Sequence, residues 1–463
     1  MGQMKLRNSR SAVIFLSFVS IALGGISLNA GAETFEEALG KAYLSNPTLR
    51  AARAQLRATD ERVPQALSGW RPTVELSYDY GKSNNFSNTP NSATRSQNRT
   101  PKNGALTVEQ NLFQGFQTET DTKVAEADVL AQRARLSSTE QNVLRDAATA
   151  YMDVVRDEAV LNLNLNNERV LARQLQATRD RFEVGEVTRT DVAQAEARLS
   201  SAKAETIQAD GALVRSRARY RQIIGDAPGT LKAPPLLSDL PLSEDDAINR
   251  ARDSSPDVIA ARFDEQSARL SIKSSEAELY PTLDLVGELN RRDQAASPES
   301  RTEEASITAQ VTVPLYQAGA VSSRIREAKQ VWNQRRRELD VANLAVTRGA
   351  TDAWKNLETA RAQIRAFTAA VRAGQIALEG VRQEAQVGSR TVLDVLDAEQ
   401  ELLDARVSLV RAERDALVAS VDLRQAVGSL LAKELKLPTE LYDPEDNYRA
   451  VRNKWFGFEV KEE

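Results

Sequence analysis

The 463-residue chain contains no cysteine and no histidine, and only 5% of it is aromatic. Without cysteine there is no disulfide scaffold, no thiol nucleophile and no thioether-linked lipid anchor. Without histidine as well, zinc fingers, haem ligation and Ser-His-Asp hydrolysis are excluded. Neither sign of charge dominates: 61 Lys+Arg stand against 65 Asp+Glu, for a net −4. The basic residues are interspersed with acidic ones instead of forming blocks, which removes the electrostatic reason to expect a nucleic-acid partner. Past residue 32 no apolar run approaches the ~18 residues of a membrane-spanning helix. The length would suit two or three domains.

What is present begins with an address. Lys5, Arg7 and Arg10 precede an apolar run from Ala12 to Leu28 and then Ala30-Gly31-Ala32. This order predicts a secretory leader, residues 1–32, cut after Ala32. The competing reading, an uncleaved membrane anchor, fits less well because Ser and Gly interrupt the run. The leader carries three basic and no acidic residues, so the mature 431-residue chain would have a net charge of −7. Its expected place is the periplasm, the outside or an outer membrane.

The strongest signal is an internal repeat. Asn46-Pro47 and Ser255-Pro256 lie 209 positions apart, as do Arg71-Pro72 and Tyr280-Pro281. Val108 and Val311, Leu112-Phe113 and Leu315-Tyr316, Gly185 and Gly388, Asp191 and Asp394, and Glu196 and Glu399 are each 203 apart. The first copy therefore carries six extra residues between Gly81 and Ala105. Two copies of this length are one duplicated architecture, not a solenoid of short units. The expected division is 33–225 for the first repeat, 226–243 for a Pro-rich linker, 244–437 for the second repeat and 438–463 for a polar tail.

Each copy reads alike. A helical stretch (Phe35–Leu67; Glu244–Leu279) ends near a proline and two alternating runs follow. Val74, Leu76, Tyr78 and Tyr80 alternate with Thr73, Glu75, Ser77 and Asp79, which predicts a strand over about 73–81 with one apolar face. The same alternation predicts strands over about 105–113, 282–290 and 305–313. Glu75, Asp79, Glu109, Asp284 and Glu288 fall on the polar side. The hairpin tips Lys82–Asn103 and Arg291–Glu304 are long and polar and read as exposed loops.

After the strands come stretches of about 70 residues without proline, Gly115 to Gly185 and Gly319 to Gly388. At ~1.5 Å per residue these are rods on the order of 100 Å long. In the second copy Ile325, Trp332, Leu339, Val346, Ala353, Ala360, Phe367, Gly374 and Val381 recur every seven residues. A sustained seven-residue repeat implies left-handed coiled-coil packing. Trp332 and Trp354, on or near this seam, read as core. After each glycine a second helix returns (Thr188 to Ile224; Thr391 to Val427). The fold class is therefore mainly α with a small β part: a duplicated repeat of long antiparallel coiled-coil helices plus two strand pairs.

Four strands of ~9 alternating residues have the length and pattern of strands that span an outer membrane. Four cannot close a barrel, and an open sheet edge in lipid leaves backbone groups unpaired at several kcal/mol each. Strands that span lipid would thus require several chains to share one barrel. The competing reading is a small soluble sheet that caps a coiled coil.

The duplicated order of helix, X-Pro, strand, loop, strand and long helix, with V-G-x-x-T-x-x-D-V at Val184–Val192 and Val387–Val395, resembles the TolC family of outer-membrane efflux channels over essentially the whole mature chain. The resemblance implies a homotrimer whose strands form one 12-stranded barrel in outer-membrane lipid, continued by an α-helical tunnel across the periplasm of a Gram-negative bacterium. It implies docking to a periplasmic adaptor and to an inner-membrane pump of the RND or ABC type, in drug efflux or type I secretion. It implies no cofactor, metal or catalytic residue.

The informative site is the turn between the long helices. Thr188-x-x-Asp191 and Thr391-x-x-Asp394 each form a capping-box pattern, in which a side-chain oxygen and a carboxylate serve the free N–H groups of a helix start. Asp397 has Gln194 as its counterpart 203 positions earlier, and Arg390 has Val187. The second copy has therefore gained an anion and a cation at an otherwise repeated turn. In the TolC family the residues matching Asp394 and Asp397 form acidic rings at the periplasmic entrance, and the residue matching Arg390 bonds to those matching Thr190 and Asp191 and holds the entrance closed. A tyrosine that joins this lock in some relatives is replaced here by Ala385. The turns themselves, with Val184, Gly185, Thr188, Val387, Gly388 and Thr391, correspond to the family's adaptor-docking tips.

Two other classes of function compete. A periplasmic coiled-coil adaptor or scaffold would carry no lipid-facing strands. A hydrolase using Asp394 and Asp397 would need a pocket around two carboxylates one helical turn apart, and no pocket-forming sequence surrounds them. Trp455-Phe456 in the tail would pack on the middle of the rods.

Overall fold

The computed structural model describes residues 33–87, 90 and 95–460. The leader expected over 1–32 lies outside the described residues. Helix α1 (Phe35–Ser45) starts with a capping box, in which the Glu37 N–H donates to Thr34 Oγ1 at 3.2 Å and the Thr34 N–H donates to Glu37 Oε2 at 3.0 Å. Asn46 ends α1 and caps α2 (Pro47–Asp60), its Oδ1 accepting the Thr48 N–H at 2.9 Å. Pro47 occupies a helical position that needs no N–H. Pro64 has no N–H to give the Asp60 carbonyl, so the helix breaks and restarts as α3 (Arg62–Leu67).

Arg71-Pro72 leads into β1 (Thr73–Tyr80), β2 (Ser83–Ser87), β3 (Arg95–Arg99) and β4 (Lys102–Gln114), followed by α4 (Gln117–Glu183) and α5 (Arg189–Ile224). The second copy runs α6 (Glu244–Ser254), α7 (Pro256–Ala277), β5 (Thr282–Asp293), β6 (Arg301–Thr312), α8 (Ala320–Gln386) and α9 (Val392–Ala426). A short α10 (Asp446–Val451) lies in the tail. Lys273 stands 209 positions after Pro64, so α7 continues unbroken for 22 residues where the first copy needs two helices. Helices α4 and α8 are both 67 residues, rods on the order of 100 Å.

The four long strands form one antiparallel sheet in the order β1-β4-β5-β6. Val74 pairs with Val108 and Leu76 with Leu106; Val108 pairs with Gly287, Leu106 with Leu289, and Gly287 with Ile307. Because alternate residues share a face, this register puts Val74, Leu76, Tyr78 and Tyr80 on one side with Leu106, Val108, Leu285, Leu289, Ile307 and Val311, while Val286 falls on the other. Thr73, Glu75, Thr107, Glu109, Asp284, Glu288 and Gln310 lie on the other. Both hairpin tips differ from the expected loops. Strands β2 and β3 form a separate polar ribbon, and β5 and β6 run on to Asp293 and from Arg301, leaving only 294–300 as loop. Polar strands pair through their backbones as well as alternating ones do, and Arg291–Glu303 side chains lie across the extension at 3.8 Å. At the opposite end Pro314 stops β6 at Thr312, whereas β4, with Asn111 at the matching position, continues to Gln114 through a bulge at Leu112.

Each strand pair passes into its long helix through two successive left-handed residues, Gly115-Phe116 (φ +59 and +68) and Ala318-Gly319 (φ +50 and +79). A Cβ on Gly115 would lie 2.6 Å from the Ala277 carbonyl, so only glycine lets α7 approach there.

The main core lies midway along the rods, where Leu39, Leu49 and Leu56 of α1 and α2 pack on Leu144 and Tyr151 of α4, Tyr220 and Ile224 of α5 and Leu417 of α9. The second copy repeats it in small form: Ala247 and Ala251 pack on Ala350, Leu357, Leu423 and Val427, with Trp354 against them. Tyr151 and Trp354 are 203 apart, as are Tyr220 and Leu423. Trp332 is half-buried and its indole N–H donates to Glu265 of α7. Helices α4 and α9 are joined by Arg145–Asp422 (2.7 Å) and by Arg414–Asp153 (2.8 Å).

Candidate functional site

The two turns between the long helices are built alike. Helix α4 ends in a Schellman arrangement: the Gly185 N–H donates to the Phe182 carbonyl at 3.0 Å and the Glu186 N–H to Arg181 at 2.9 Å. Helix α8 repeats it, with Gly388 on Ala385 at 3.2 Å and Ser389 on Glu384 at 3.0 Å. Both glycines are left-handed (φ +80 and +79). Two residues further on, a capping box starts each return helix. The Asp191 N–H meets Thr188 Oγ1 at 3.3 Å and the Thr188 N–H meets Asp191 Oδ2 at 2.8 Å; the Thr391–Asp394 pair matches at 3.2 and 2.9 Å. Donation by the Thr391 backbone N–H, then by its hydroxyl, holds the Asp394 carboxyl below its ordinary range. Val184 and Val387 remain exposed at the apex.

Within one chain the added charges of the second copy have local partners. Within one chain Arg390 is bound by Glu384 at 2.9 Å, and this hydrogen-bonded carboxylate raises its pKa further. Among the described residues Arg390 has no ion pair with Asp191 and no hydrogen bond to Thr190. The reason is local: Asp191 is already engaged by its own capping box, and Thr190 lies on the other hairpin. Within one chain Asp397 is half-exposed and bonds to Arg198 of α5. Ala385 packs with Leu378, Val395 and Leu402, and offers no hydroxyl to this network.

Glu384 and Arg198 were readable from the repeat. Their counterparts 203 positions away are Arg181 and Glu401, so each is a charge reversal between copies. Comparing only the motif positions passes over both. A further pair is kept in both copies: Arg179–Glu196 and Arg382–Glu399 each meet at 2.7 Å between the long and the return helix.

The sheet is the second candidate surface. Leu76 and Ile307 on its apolar face are 79% and 82% exposed, and the face has no partner among the described residues. The foot of every strand carries an exposed aromatic residue: Trp70 before β1, Phe116 after β4, Tyr280 before β5 and Tyr316 after β6. An apolar band edged by aromatic rings has the chemistry of a lipid-facing β-sheet. No helix among the described residues is long and apolar enough to cross a membrane.

The family description "Outer membrane efflux protein" matches residues 38–226 and 247–429, one match for each structural copy. The chain belongs to the outer membrane efflux protein family. It is 38% identical to outer membrane efflux protein BepC of Brucella suis over 442 residues, 95% of each chain. It is 26% identical to outer membrane protein TolC of Escherichia coli, over 90% of this chain and 86% of that one. Its fold matches the crystal structure of the CmeC outer membrane channel of Campylobacter jejuni with a TM-score of 0.77 at 15% identity, covering 90% of this chain and 89% of that one. The efflux protein is thus an outer-membrane exit duct that extends into the periplasm.

Proposed function

We propose that three copies of this chain close one duct, in which 3 × 4 strands form a barrel through the outer membrane and the helices form a tunnel below it. The observation that carries this reading is the four-stranded sheet with an uncovered apolar face and two unpaired edges, β1 and β6. In lipid those edges must be paired, and β6 of one copy against β1 of the next satisfies both. Helix α8 supports it, since Val341, Leu344 and Ile376 project from a flank that nothing among the described residues covers. A soluble scaffold would bury these surfaces or replace them with polar residues.

In this assembly the paired turns are the entrance. The exposed Val184 and Val387, with Gly185, Gly388, Thr188 and Thr391 shaping the turns, form the surface on which a periplasmic adaptor docks, and an inner-membrane pump supplies the cargo. Arg390, Asp394 and Asp397 lie near the axis, and dilation is opposed by Arg390 reaching Thr190 and Asp191 of a neighbouring copy. For that contact Arg390 must exchange its Glu384 partner, and exposed ion pairs of ~0–1 kcal/mol each make the exchange easy. The chain acts as a passive conduit without chemistry of its own.

The deciding measurement is the mass of the protein–detergent complex joined to single-channel recording in planar bilayers. A trimer that conducts with a preference for cations is expected. Asp394→Asn with Asp397→Asn should weaken that preference, and Arg390→Ala should raise conductance. A conducting monomer, or a protein recovered entirely in the soluble periplasmic fraction, would overturn the reading.

A further inference from the structure

Trp455 and Phe456, near the end of the C-terminal tail, do not lie on the middle of the rods. The tail climbs from the main core toward the sheet along α2 and α4: Asn447 donates to Asp60 at 2.9 Å, and Arg452 donates to Glu126 at 3.2 Å, nine residues into α4 from its strand end. Its last described turn is fixed at the foot of β1. Arg71 Nη1 donates to the Lys454 carbonyl at 2.8 Å, and the Arg71 guanidinium sits over the Trp455 ring at 5.0 Å. Lys454 Nζ closes the turn onto the Glu459 carbonyl at 3.1 Å around Gly457, whose φ is +119.

The result is a small loop that holds Trp455 against Arg71 and leaves the Phe456 and Phe458 rings uncovered. Trp455 is 64% exposed, Phe456 89% and Phe458 fully. Three largely exposed aromatic side chains within four residues leave apolar surface that water solvates poorly. They stand at the level of Trp70, directly beside Arg71, and so at the level of the aromatic residues that edge the strand feet.

We propose that the loop Trp455–Phe458 is an interfacial anchor that inserts its rings into the headgroup layer of the periplasmic leaflet, beside the barrel. The proposal rests on the outer-membrane reading of the sheet. Lipid fits better than a second copy of the chain. The surfaces left for neighbouring copies are a strand edge and an aliphatic helix flank, both regular, whereas the loop is irregular, aromatic and flanked by Lys454 and Glu459. That composition suits the boundary between acyl chains and headgroups, where aromatic rings partition and charged neighbours stay hydrated. A chain without cysteine has no acyl anchor, and this loop supplies a second hold on the leaflet.

The absence of cysteine makes the test direct. Single variants Phe456→Cys, Phe458→Cys, Ile307→Cys on the sheet face and Arg189→Cys at the tip are spin-labelled. The assembled protein is then placed in nanodiscs of phosphatidylethanolamine and phosphatidylglycerol. Collision with oxygen, which concentrates in lipid, is compared with collision with a water-soluble nickel chelate. Labels at 456 and 458 should favour oxygen several-fold over the label at 189 and approach the label at 307. Labels at 456 and 458 that behave as at 189, or that are immobilised and shielded from both reagents by a neighbouring copy, overturn the anchor while the result at 307 upholds the barrel. A water-like label at 307 overturns both.

Discussion

Helices α4 and α8 have the same length, the same Schellman ending and the same place in the repeat, yet α4 buries 24 residues within the chain and α8 buries six. Duplication supplied two identical struts, and divergence assigned them different neighbours. Around α4 stand α1, α2, α3, α5, α7 and α9; around α8 stand α6, α7 and α9, with one flank open. The first copy reads as the hub of a single chain. The second reads as half of an interface.

The sharpest way to break the comparison is to charge the open flank. Leu344→Glu with Val341→Glu should abolish the trimer in detergent and leave a folded, helical monomer, because these residues are more than 60% exposed within the chain. Mass measurement and circular dichroism separate loss of assembly from loss of fold. The corresponding first-copy positions are Gln141 and Ser138, already enclosed or tied to Asp257, so no such surface exists there.

The matching core positions sharpen it next. Tyr151→Ala should cost about 3–5 kcal/mol, the range for removing a fully buried ring, and it also removes the hydroxyl's bonds to the Glu33 and Lys232 carbonyls at 3.0 and 2.8 Å. Trp354→Ala should cost less in a monomeric background such as the charged-flank variant, since its ring is only partly covered. Denaturant unfolding of the two variants in that background reads the difference.

A smaller contrast is expected at the repeated ion pair. Glu196 is 57% exposed and Glu399 only 6%. A double-mutant cycle on Arg179 and Glu196 should give the ~0–1 kcal/mol of an exposed pair. The cycle on Arg382 and Glu399 should give more, because the enclosed carboxylate has lost its water. Equal coupling in the two cycles would show that burial does not distinguish the hairpins at this level.

The smallest effect concerns acid. Asp394 is held below 3.8, the ordinary value for aspartate, by donors that favour its ionised form. A lowered carboxyl pKa contributes stability above the ordinary value and loses it as pH falls through the lowered one. Amide protection factors over 391–397 should therefore be level above pH 3.8 and decline below it, and Asp394→Asn should flatten the decline.

The duplication, the long rods, the turns and the alternating strands were legible in the sequence because each follows from local periodicity or from Gly and Pro chemistry. Residues 203 apart could be compared without any other protein at hand. What escaped was the choice among partners. Arg390 has several carboxylates within reach of a flexible side chain, and only the packed helices decide for Glu384. Asp397 meets Arg198 across two helices far apart in sequence, a contact that no spacing rule yields. The β2–β3 ribbon escaped because Ser, Asn and Arg carry no alternation of polarity, while backbone pairing needs none. The loop Trp455–Phe458 escaped because so short a segment without periodicity says nothing of where it lies.

The unpaired edges of β1 and β6 have a consequence for the life of the chain before assembly. Each newly folded copy exposes two open ladders of N–H and C=O groups, and an open ladder accepts any extended segment, its own kind or not. The edges proposed to pair with a sister copy are therefore a hazard while the chain is alone. The β6 edge is charged at its outer end by Arg301, Glu303 and Glu304, and Pro314 cuts the strand short at the other. On the β6 edge these features narrow the stretch that a stray strand can join to the few residues around Ile307 and Val311, while the β1 edge keeps its full length from Thr73 to Tyr80.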